Sequence, residues 1–577
     1  MAREEYPTVP SSPDDGQPTM QAPTTPILPQ HDPNYLQRQD YLKHNREAYE
    51  FGYPPLAPIP VLKNLPEAES LPPQLFLKRR LDKKIYELTS NFASKIRSFF
   101  DQFDNIQDYE DLFSFLPKPD ENLGNDADLI ELFHKPDEVT EVIKTYQNDR
   151  IFAEQRLSGV NPLVIKKLAV IPDNLLNVPV KSSLNLQEEL KKGNLYLTDY
   201  TVLTPVQGGT YGTGKKYLPK PMALFWWRGS DNGQGELVPL AIQLDVQRKE
   251  SIFTPSDTDW QIAKLCLQVA DANHHEMITH LCWTHFAMEP IAIVTARQLA
   301  ANHPLSVLLH PHFRFMLGYN YRGREVLINE GGAVDRLLAG TLAESIDLIK
   351  EGYRTWSFDQ FAFPTEIENR GMNDIPHYPY RDDGMLVWDA IKKFVREYLE
   401  VYYKKPEDIT EDTELQAWAQ EMVSDSGGKV KGFPQSFENL DSLVEAVTNI
   451  IFTCGPQHSA INSPQYEYMA FVPNMPLAAY RPIPEKGQPH DELLQFLPPE
   501  EQAIGQMRLI RTLSTYFYDH LGGYQDNDFT DPKVQDVVSQ FKQDLNYVEL
   551  KIDEKNRSRT VVYQDFKPSQ VLNSISA

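Results

Sequence analysis

The run WQIAKLCLQVADANHHEMITHLCWTHFAMEPIAIVTARQLAANHPLSVLLHPHFR, Trp260 to Arg314, carries three histidines at five-residue intervals, His275, His280 and His285. In a regular α-helix, residues five apart are rotated by roughly 140°, so these imidazoles would not converge on one ion. A single π-type turn between them would close that angle, and such turns gather at functional sites. Capping or core histidines are the alternative, but three in eleven residues of an apolar helix make it improbable, because buried unpaired polar groups are rare. The pattern predicts a metal-binding helix.

A second candidate ligand group lies far along the chain, at His458 and Asn462. Residues at i and i+4 share one face of a helix, so both side chains can point to the same side. Neutral imidazoles together with an amide oxygen suit iron better than they suit metals that prefer thiolate ligands. Manganese accepts the same ligands as iron. No cysteine pair has the spacing of a metal site. The sequence therefore predicts a non-haem iron centre built from two separate helices.

Two motif-like strings do not meet the requirements of the sites they suggest. The glycine-rich string GTYGTGKK, Gly209 to Lys216, has Lys216 where a phosphate-binding loop needs Ser or Thr, and prolines follow where its helix should begin. The string HHEMITH lacks the i, i+4 histidines of a zinc protease, because His280 lies five positions after His275. We therefore expect neither a nucleotide site nor a zinc protease.

Composition narrows the class of protein further. The 577 residues carry a net charge of −25, which argues against nucleic acid as a partner. Three cysteines, Cys266, Cys282 and Cys454, do not form a disulfide framework, and each is expected to be a small buried residue. The chain begins without a secretory signal and contains no apolar run of membrane-spanning length. These features predict a cytoplasmic protein that is soluble or bound peripherally to a membrane.

The chain changes character near residue 74. Residues 1–73 hold fifteen of the 45 prolines, so we expect a largely extended or disordered extension with one short helix around Tyr35 to Phe51. Residues 74–577 are predicted to form one large, mostly α-helical domain with a few strands, the clearest being a hairpin at Met222 to Leu244.

The start of that domain, residues 74–116, is predicted to be a basic amphipathic helical segment. Residues 76–100 contain seven Lys and Arg residues but only two acidic ones, and apolar residues recur there at helical spacing. A basic amphipathic helix in an acidic protein can contact an anionic membrane surface. Packing against the core with a solvated basic face explains such a helix at least as well.

Three separated stretches resemble the lipoxygenase family. Trp260 to Arg314 resembles its signature, QHSAIN (Gln457 to Asn462) its second iron-binding helix, and the terminal LNSIS its buried C-terminus. FAEQRLSGVNPLVI (Phe152 to Ile165) resembles its entry segment, so the resemblance runs from about residue 74 to the end. The family's N-terminal β-sandwich has no counterpart before residue 74, which suggests a short form of bacterial or cyanobacterial type.

The resemblance implies a set of metal ligands and residues around them. Iron would be bound by His280, His285 and His458, by Asn462 as a weaker ligand, and by the terminal carboxylate of Ala577, where the family usually ends in Ile. Three further residues would surround this set. His275 would lie just outside it, and Glu276 and Gln465 would tie the two ligand helices together.

The resemblance also implies the chemistry and the substrate pocket. A ferric hydroxide would abstract hydrogen from the bis-allylic methylene of a polyunsaturated fatty acid, free or in a phospholipid ester, and O2 would add to the radical. Gly323 stands where R-specific members have Gly and S-specific ones Ala, unless it only meets a backbone demand. Leu327 would clamp the pentadiene, Leu337 and Leu338 would set the pocket depth, and the 9R product of linoleate is favoured.

Two other functions stay open from the sequence. A hydroperoxide isomerase with the same fold would share every ligand, so only its products would distinguish it. A lipid-binding or membrane-coat protein with a vestigial site is disfavoured, because such a site would be free to lose ligands.

Overall fold

The structure is a computed structural model, and it describes residues 25–71, 103, 105–115, 144–180, 184–229, 235–486, 492–514 and 519–576. Most of these residues form helices. The α-helices are α1 (Tyr35–Ala48), α2 (Ile106–Phe115), α3 (Asp149–Ser158), α4 (Leu186–Lys192), α5 (Trp260–His274), α6 (Ala287–Gln298), α7 (Pro304–Phe313), α8 (Met316–Val326), α9 (Ala333–Leu337), α10 (Leu342–Thr355), α11 (Phe363–Asn369), α12 (Pro379–Tyr402), α13 (Pro406–Thr410), α14 (Thr413–Val423), α15 (Leu440–Phe452), α16 (His458–Asn462), α17 (Leu493–Phe496), α18 (Glu500–Ser514) and α19 (Gln535–Asn556). Three π-helical segments complete them, π1 (His275–Phe286), π2 (Thr453–Gln457) and π3 (Tyr466–Ala470).

The strands are short and form a minor part of the fold. They are β1 (Phe51–Gly52), β2 (Val61–Leu62), β3 (Lys166–Lys167), β4 (Leu195–Asp199), β5 (Thr210–Tyr211), β6 (Gly214–Lys215), β7 (Met222–Gly229), β8 (Gly235–Gln243) and β9 (Ile252–Phe253). Five of them form an antiparallel sheet in the order β3-β4-β7-β8-β9. The predicted hairpin is confirmed as β7 and β8, and the mostly α-helical class is confirmed as well.

The core of the fold is one continuous helical rod, α5–π1–α6. Its residues are buried nearly throughout, from Trp260 to Gln298, so apolar side chains face neighbours on every side. The second rod, α15–π2–α16, is buried in the same way and contacts π1 through both π2 and α16. Pro456 lies within π2, where it removes a backbone donor and so favours a local departure from α-helical bonding. These two rods position the candidate ligands.

In the part of the proline-rich N-terminal segment that the structure describes, a helix lies where the short one was expected, and several side chains are buried. Residues 25–71 are largely without regular structure apart from α1, but Leu56, Ile59 and Leu62 are fully or almost fully buried in the main core. Arg38 is also buried, and its guanidinium donates to both carboxylate oxygens of Glu414 at 2.5 and 2.9 Å. A few well-placed apolar side chains and one buried ion pair therefore fix a segment whose overall composition suggests disorder.

The predicted basic helix of residues 76–100 lies outside the described residues, so membrane contact stays a prediction. Within the described ranges, no helix combines the length and the apolar character needed to cross a membrane. All three cysteines are buried and free, as expected.

Candidate metal centre and substrate cavity

The five-residue histidine spacing is accommodated by π1, which extends over twelve residues rather than the single turn expected. Because π-helical bonding links residue i to i+5, it aligns side chains five apart. His280 and His285 therefore face the same side, with their Nε2 atoms 3.2 Å apart. His458, at the start of α16, places its Nε2 3.1 Å from that of His285. One nitrogen from each of the three buried rings lies within 4.8 Å of the others.

The electrostatics of this cluster favour a bound cation. Burial lowers the pKa of all three imidazoles, and repulsion from neighbouring histidines lowers it further for His285, to about 3, and for His458. The rings are therefore neutral at pH 7, and their nitrogens approach one another away from water. A positive ion at the centre would accept three lone pairs at once, so the donor set fits a divalent or trivalent metal. Imidazole donors suit iron, and they suit zinc, copper and nickel as well.

His285 and His280 differ in the contacts of their Nδ1 atoms, the ring nitrogens that point away from the centre of the cluster. The Nδ1 atom of His285 lies 2.8 Å from Asn320 Oδ1, a full hydrogen bond. The Nδ1 atom of His280 lies 3.6 Å from Glu276 Oε2, an electrostatic contact rather than a hydrogen bond. Burial by itself would raise the pKa of the Glu276 carboxyl, but the adjacent imidazoles of His275 and His280 outweigh it and bring the pKa to about 2. Glu276 is therefore an ionised group beside the centre.

The residues expected around the ligands lie at the centre, but their contacts differ from the expectation. His275, rather than Glu276 or Gln465, joins the two ligand helices, since its Nε2 donates to the main-chain oxygen of Ile461 at 3.1 Å. Gln465 donates to Asn462 Oδ1 at 2.8 Å within its own helical region. Glu276 Oε1 and Gln465 Oε1 are buried without a hydrogen-bond partner.

Asn462 is fixed at both ends of its amide. Its Nδ2 donates to the main-chain oxygen of Leu513 at 2.9 Å, and its Oδ1 accepts from Gln465. A carbonyl oxygen has two lone pairs, so Oδ1 retains one for a metal. This arrangement suits a weak fourth ligand whose orientation is set by its neighbours.

The C-terminal tail is buried beside the second ligand helix, although Ala577 itself lies outside the described residues. Residues 571–576 are all at most 2% exposed. The Leu572 N–H donates to Ser459 Oγ at 3.0 Å, and His312 Nδ1 donates to the main-chain oxygen of Asn573 at 2.8 Å. A Cβ on Gly455 would lie 2.7 Å from Leu572 O, so only glycine allows this approach without a shift. The tail thus passes within van der Waals distance of π2, just before His458.

A largely apolar cavity borders the histidine cluster. It is lined by Glu276, His280 and His285 at the metal side. Its other polar contacts are Tyr319 and Asn320. Most of the wall is apolar and comprises Met277, Leu281, Phe286, Gly323, Leu327, Ile328, Ala333, Val334, Leu338, Leu509 and Leu513. A hydrocarbon chain can therefore be buried directly beside the metal centre.

The structure places three of the four predicted pocket residues on the cavity wall and the fourth elsewhere. Gly323, Leu327 and Leu338 line the cavity, whereas Leu337 does not. Leu337 instead contacts α18, where its Cδ2 would lie 2.8 Å from a Cβ built on Gly505. Leu337 is the last residue of α9 and Leu338 follows it with extended backbone, so the two adjacent side chains point in different directions and only Leu338 faces the cavity.

Several residues of the site were not found from the sequence. Asn320 and His312 fix a histidine ligand and the tail, yet each is bonded to a residue at least 35 positions away, so no local pattern reveals it. The apolar residues Ile328, Val334 and Leu509 line the cavity from three different places in the chain. Asn320 lies three positions before Gly323 on α8, so helical spacing could have placed it on the cavity side, but its bond to His285 is not visible in any local pattern.

Together these features define a mostly α-helical protein in which a π-helical segment and a second helix bring three imidazoles together beside an apolar cavity, in an arrangement that fits a metal ion. A family model described as Lipoxygenase matches residues 83–565. The human polyunsaturated fatty acid lipoxygenase ALOX15B is 34% identical over 468 residues, which cover 78% of this chain and 69% of that protein. The chain belongs to the lipoxygenase family and is an oxidoreductase of the dioxygenase class.

Other similarities extend this comparison. The hydroperoxide isomerase ALOXE3 of rat is 34% identical over 451 residues, 75% of this chain and 63% of that protein. The crystal structure of coral 8R-lipoxygenase aligns with a TM-score of 0.84 at 28% identity and covers 96% of this chain and 83% of that chain. Lipoxygenases generally depend on non-haem iron, and this chain contains a matching histidine cluster.

Proposed function

We propose that this chain oxygenates polyunsaturated fatty acids, free or esterified, to R-hydroperoxides at an iron ion. The ligands would be His280, His285, His458, Asn462 and the terminal carboxylate of Ala577. The observation that carries the proposal is a cluster of three buried imidazoles, two of which, those of His280 and His285, line an apolar cavity. For linoleate we propose the 9R product.

The protein and the metal would contribute different parts of the chemistry. Bound iron supplies the one-electron oxidation that removes hydrogen from a bis-allylic methylene. The apolar wall holds the acyl chain and excludes water, which limits side reactions of the radical. Leu327 and Gly323 lie within one helical turn of each other on the same wall, where they border one segment of the chain. Asn320 keeps the proton of His285 on Nδ1 and leaves Nε2 free for the metal.

The proposed role of Gly323 in stereochemistry is supported by the space around it. A Cβ built there meets Leu327 Cδ1 at 3.8 Å as its nearest neighbour, which is ordinary contact distance. Gly323 lies within α8 without positive φ, so an alanine would fit the backbone as well as the space. The missing methyl therefore leaves open cavity volume, which we propose is the path of O2 to the carbon that gives the R product.

Gly323→Ala is expected to change the product from predominantly R to predominantly S while retaining most of the activity. Alanine in a helix is favoured over glycine by about 0.5–1 kcal/mol, so the variant should fold at least as well as the wild type. Chiral chromatography of the hydroperoxides from linoleate measures the outcome. Unchanged R product from a fully active variant would contradict the role of Gly323 but not the dioxygenase assignment.

Leu338→Ala is expected to shift the position of oxygenation, because it deepens the cavity and lets the acyl chain slide further in. Arachidonate is the suitable substrate, since it offers several bis-allylic methylenes. Leu337→Ala is the matched control: it removes the same atoms from a neighbouring buried leucine outside the cavity. Both variants should lose about 2–5 kcal/mol of stability. Equal product shifts in both would contradict the assignment of Leu338.

A hydroperoxide isomerase is the second candidate, because a relative with that name is as similar in sequence as the lipoxygenase relative. An oxygen electrode separates the two functions. The dioxygenase proposal expects one O2 consumed per conjugated diene formed from linoleate. Absence of oxygen uptake, together with consumption of an added fatty-acid hydroperoxide, would reject it in favour of the isomerase.

A further inference from the structure

A buried polar chain runs from the ligand His285 to the N-terminal segment. His285 Nδ1 contacts Asn320 Oδ1 at 2.8 Å, and Asn320 Nδ2 contacts Glu289 Oε2 at 3.0 Å. The other oxygen, Glu289 Oε1, accepts from Arg324 Nη1 at 2.6 Å and from the Leu62 N–H at 2.8 Å. Arg324 also donates to the main-chain oxygen of Leu62 at 2.8 Å. Glu289 is fully buried and Asn320 is 3% exposed, so water does not compete for these bonds.

The chemistry of these groups fixes the direction of every hydrogen bond. Glu289 is paired with a guanidinium, and its carboxylate only accepts, so the atom of Asn320 that faces it must be the amide nitrogen. The same nitrogen donates to the main-chain oxygen of His285 at 3.0 Å, which also only accepts. The amide oxygen of Asn320 therefore faces the ring of His285. That oxygen has no proton to give, so His285 Nδ1 must carry one.

We infer that Glu289 is a positioning residue that sets the tautomer of His285 through Asn320, and that β2 of the N-terminal segment anchors it through Leu62. With the proton held on Nδ1, the lone pair of Nε2 is directed to the centre of the histidine cluster. The chain also couples α6, which carries Glu289, to α8, which carries Asn320 and Arg324. This inference rests on the proposed metal centre. It assigns the N-terminal segment a part in metal binding rather than in stability alone.

Glu289→Gln tests the inference because it keeps the shape of the side chain and reverses one bond. The oxygen of the introduced amide would stay with the Arg324 guanidinium and the Leu62 N–H, because both groups only donate. Its NH₂ would therefore face Asn320. Asn320 would then turn its own oxygen to that NH₂ and its own NH₂ to His285, which disfavours the proton on Nδ1. Loss of such an outer hydrogen bond typically weakens metal binding by about 10–100-fold. We expect that loss in Co²⁺ affinity, measured on metal-free protein by competition with a chelator.

The double variant Glu289→Gln with Asn320→Asp supplies the matched rescue. The carboxylate introduced at position 320 accepts from the amide NH₂ at position 289 with one oxygen and from His285 Nδ1–H with the other, so the required tautomer returns. Asn320→Asp alone places two carboxylates against each other and should weaken Co²⁺ binding at least as much as Glu289→Gln. We expect the double variant to bind Co²⁺ more tightly than either single variant and to regain a large part of the roughly 10–100-fold that such an outer bond contributes. Recovery is incomplete because a carboxylate at position 320 does not donate to the main-chain oxygen of His285.

The outcomes separate this inference from general damage and from failure of the proposed function. Glu289→Gln protein that binds Co²⁺ within two-fold of the wild type would overturn the inference. Additive losses in the double variant would also overturn it, since purely structural damage accumulates and is not rescued. Melting temperatures of the metal-free variants identify any loss of folding. Wild-type protein that binds no Co²⁺ would instead reject the metal centre, and the inference with it.

Discussion

His458→Ala is expected to remove the metal and to lower fatty-acid oxygenation by at least about 10³-fold, because the metal contributes several kcal/mol to the reaction and each 1.4 kcal/mol is a factor of ten. His458 alone brings the second ligand helix to the cluster as an imidazole donor. Without it, two imidazole nitrogens remain on one helix, and the other two proposed ligands, Asn462 and the terminal carboxylate, bind too weakly to replace the third imidazole. Metal content by elemental analysis and oxygen uptake on linoleate measure the two effects.

A matched control for this variant is His274→Ala. His274 is also buried, and it lies one residue before π1, but it contributes no atom to the cluster. Its Nδ1 faces Asn161 and Thr279 instead. The control should keep its metal, although it loses some stability. Full metal content in His458→Ala, or equal loss of metal in both variants, would contradict the assignment of the ligands.

Gly455→Ala is expected to displace the C-terminal tail, with a loss of about 1–3 kcal/mol in stability and a metal affinity reduced at least about ten-fold. The added Cβ would lie 2.7 Å from Leu572 O and 3.3 Å from Asn573 O. Both are main-chain atoms, so neither can move away without shifting the tail. The tail leads to the carboxylate of Ala577, which we assign to the metal, and its displacement would withdraw that ligand.

Gly229→Ala controls for the exchange of glycine for alanine itself. Gly229 is the exposed last residue of β7, and a Cβ there meets no atom of the described residues within 4 Å. Its melting temperature and metal content should match the wild type. Thermal unfolding and chelator competition on both variants give the comparison. A Gly455→Ala protein as stable and as rich in metal as Gly229→Ala would show that the tail tolerates the methyl or does not reach the metal.

Sequence reasoning predicted the fold class and the convergence of histidines because both follow from local spacing. Three histidines five residues apart require π-type bonding, but the spacing does not say that π1 continues for twelve residues. Its length depends on packing against α10 and α16, which is a tertiary property. The residue types and the i, i+4 spacing of His458 and Asn462 singled out the second ligand group, and the resemblance to a family then assigned His458 to the same metal as His280 and His285.

The N-terminal segment shows where composition misleads. Its proline content predicts an extended or disordered segment, but composition does not indicate which few positions pack against the core. Arg38 pairs with Glu414, and Leu62 bonds to Glu289, each across more than 200 residues of sequence. Long-range partners of this kind are not encoded in any local pattern. The same limit explains why Asn320 was missed and why Leu337 was placed in the pocket beside Leu338.

The most direct test of the account is oxygenation measured against iron content in one set of preparations. Metal-free protein is reconstituted to different levels with ferrous iron, and each sample is assayed for iron per chain and for oxygen uptake on linoleate. The account predicts one iron per chain at saturation and a rate that rises in proportion to iron from a value near zero. A rate that does not depend on iron content, or saturation without oxygen uptake, would contradict it.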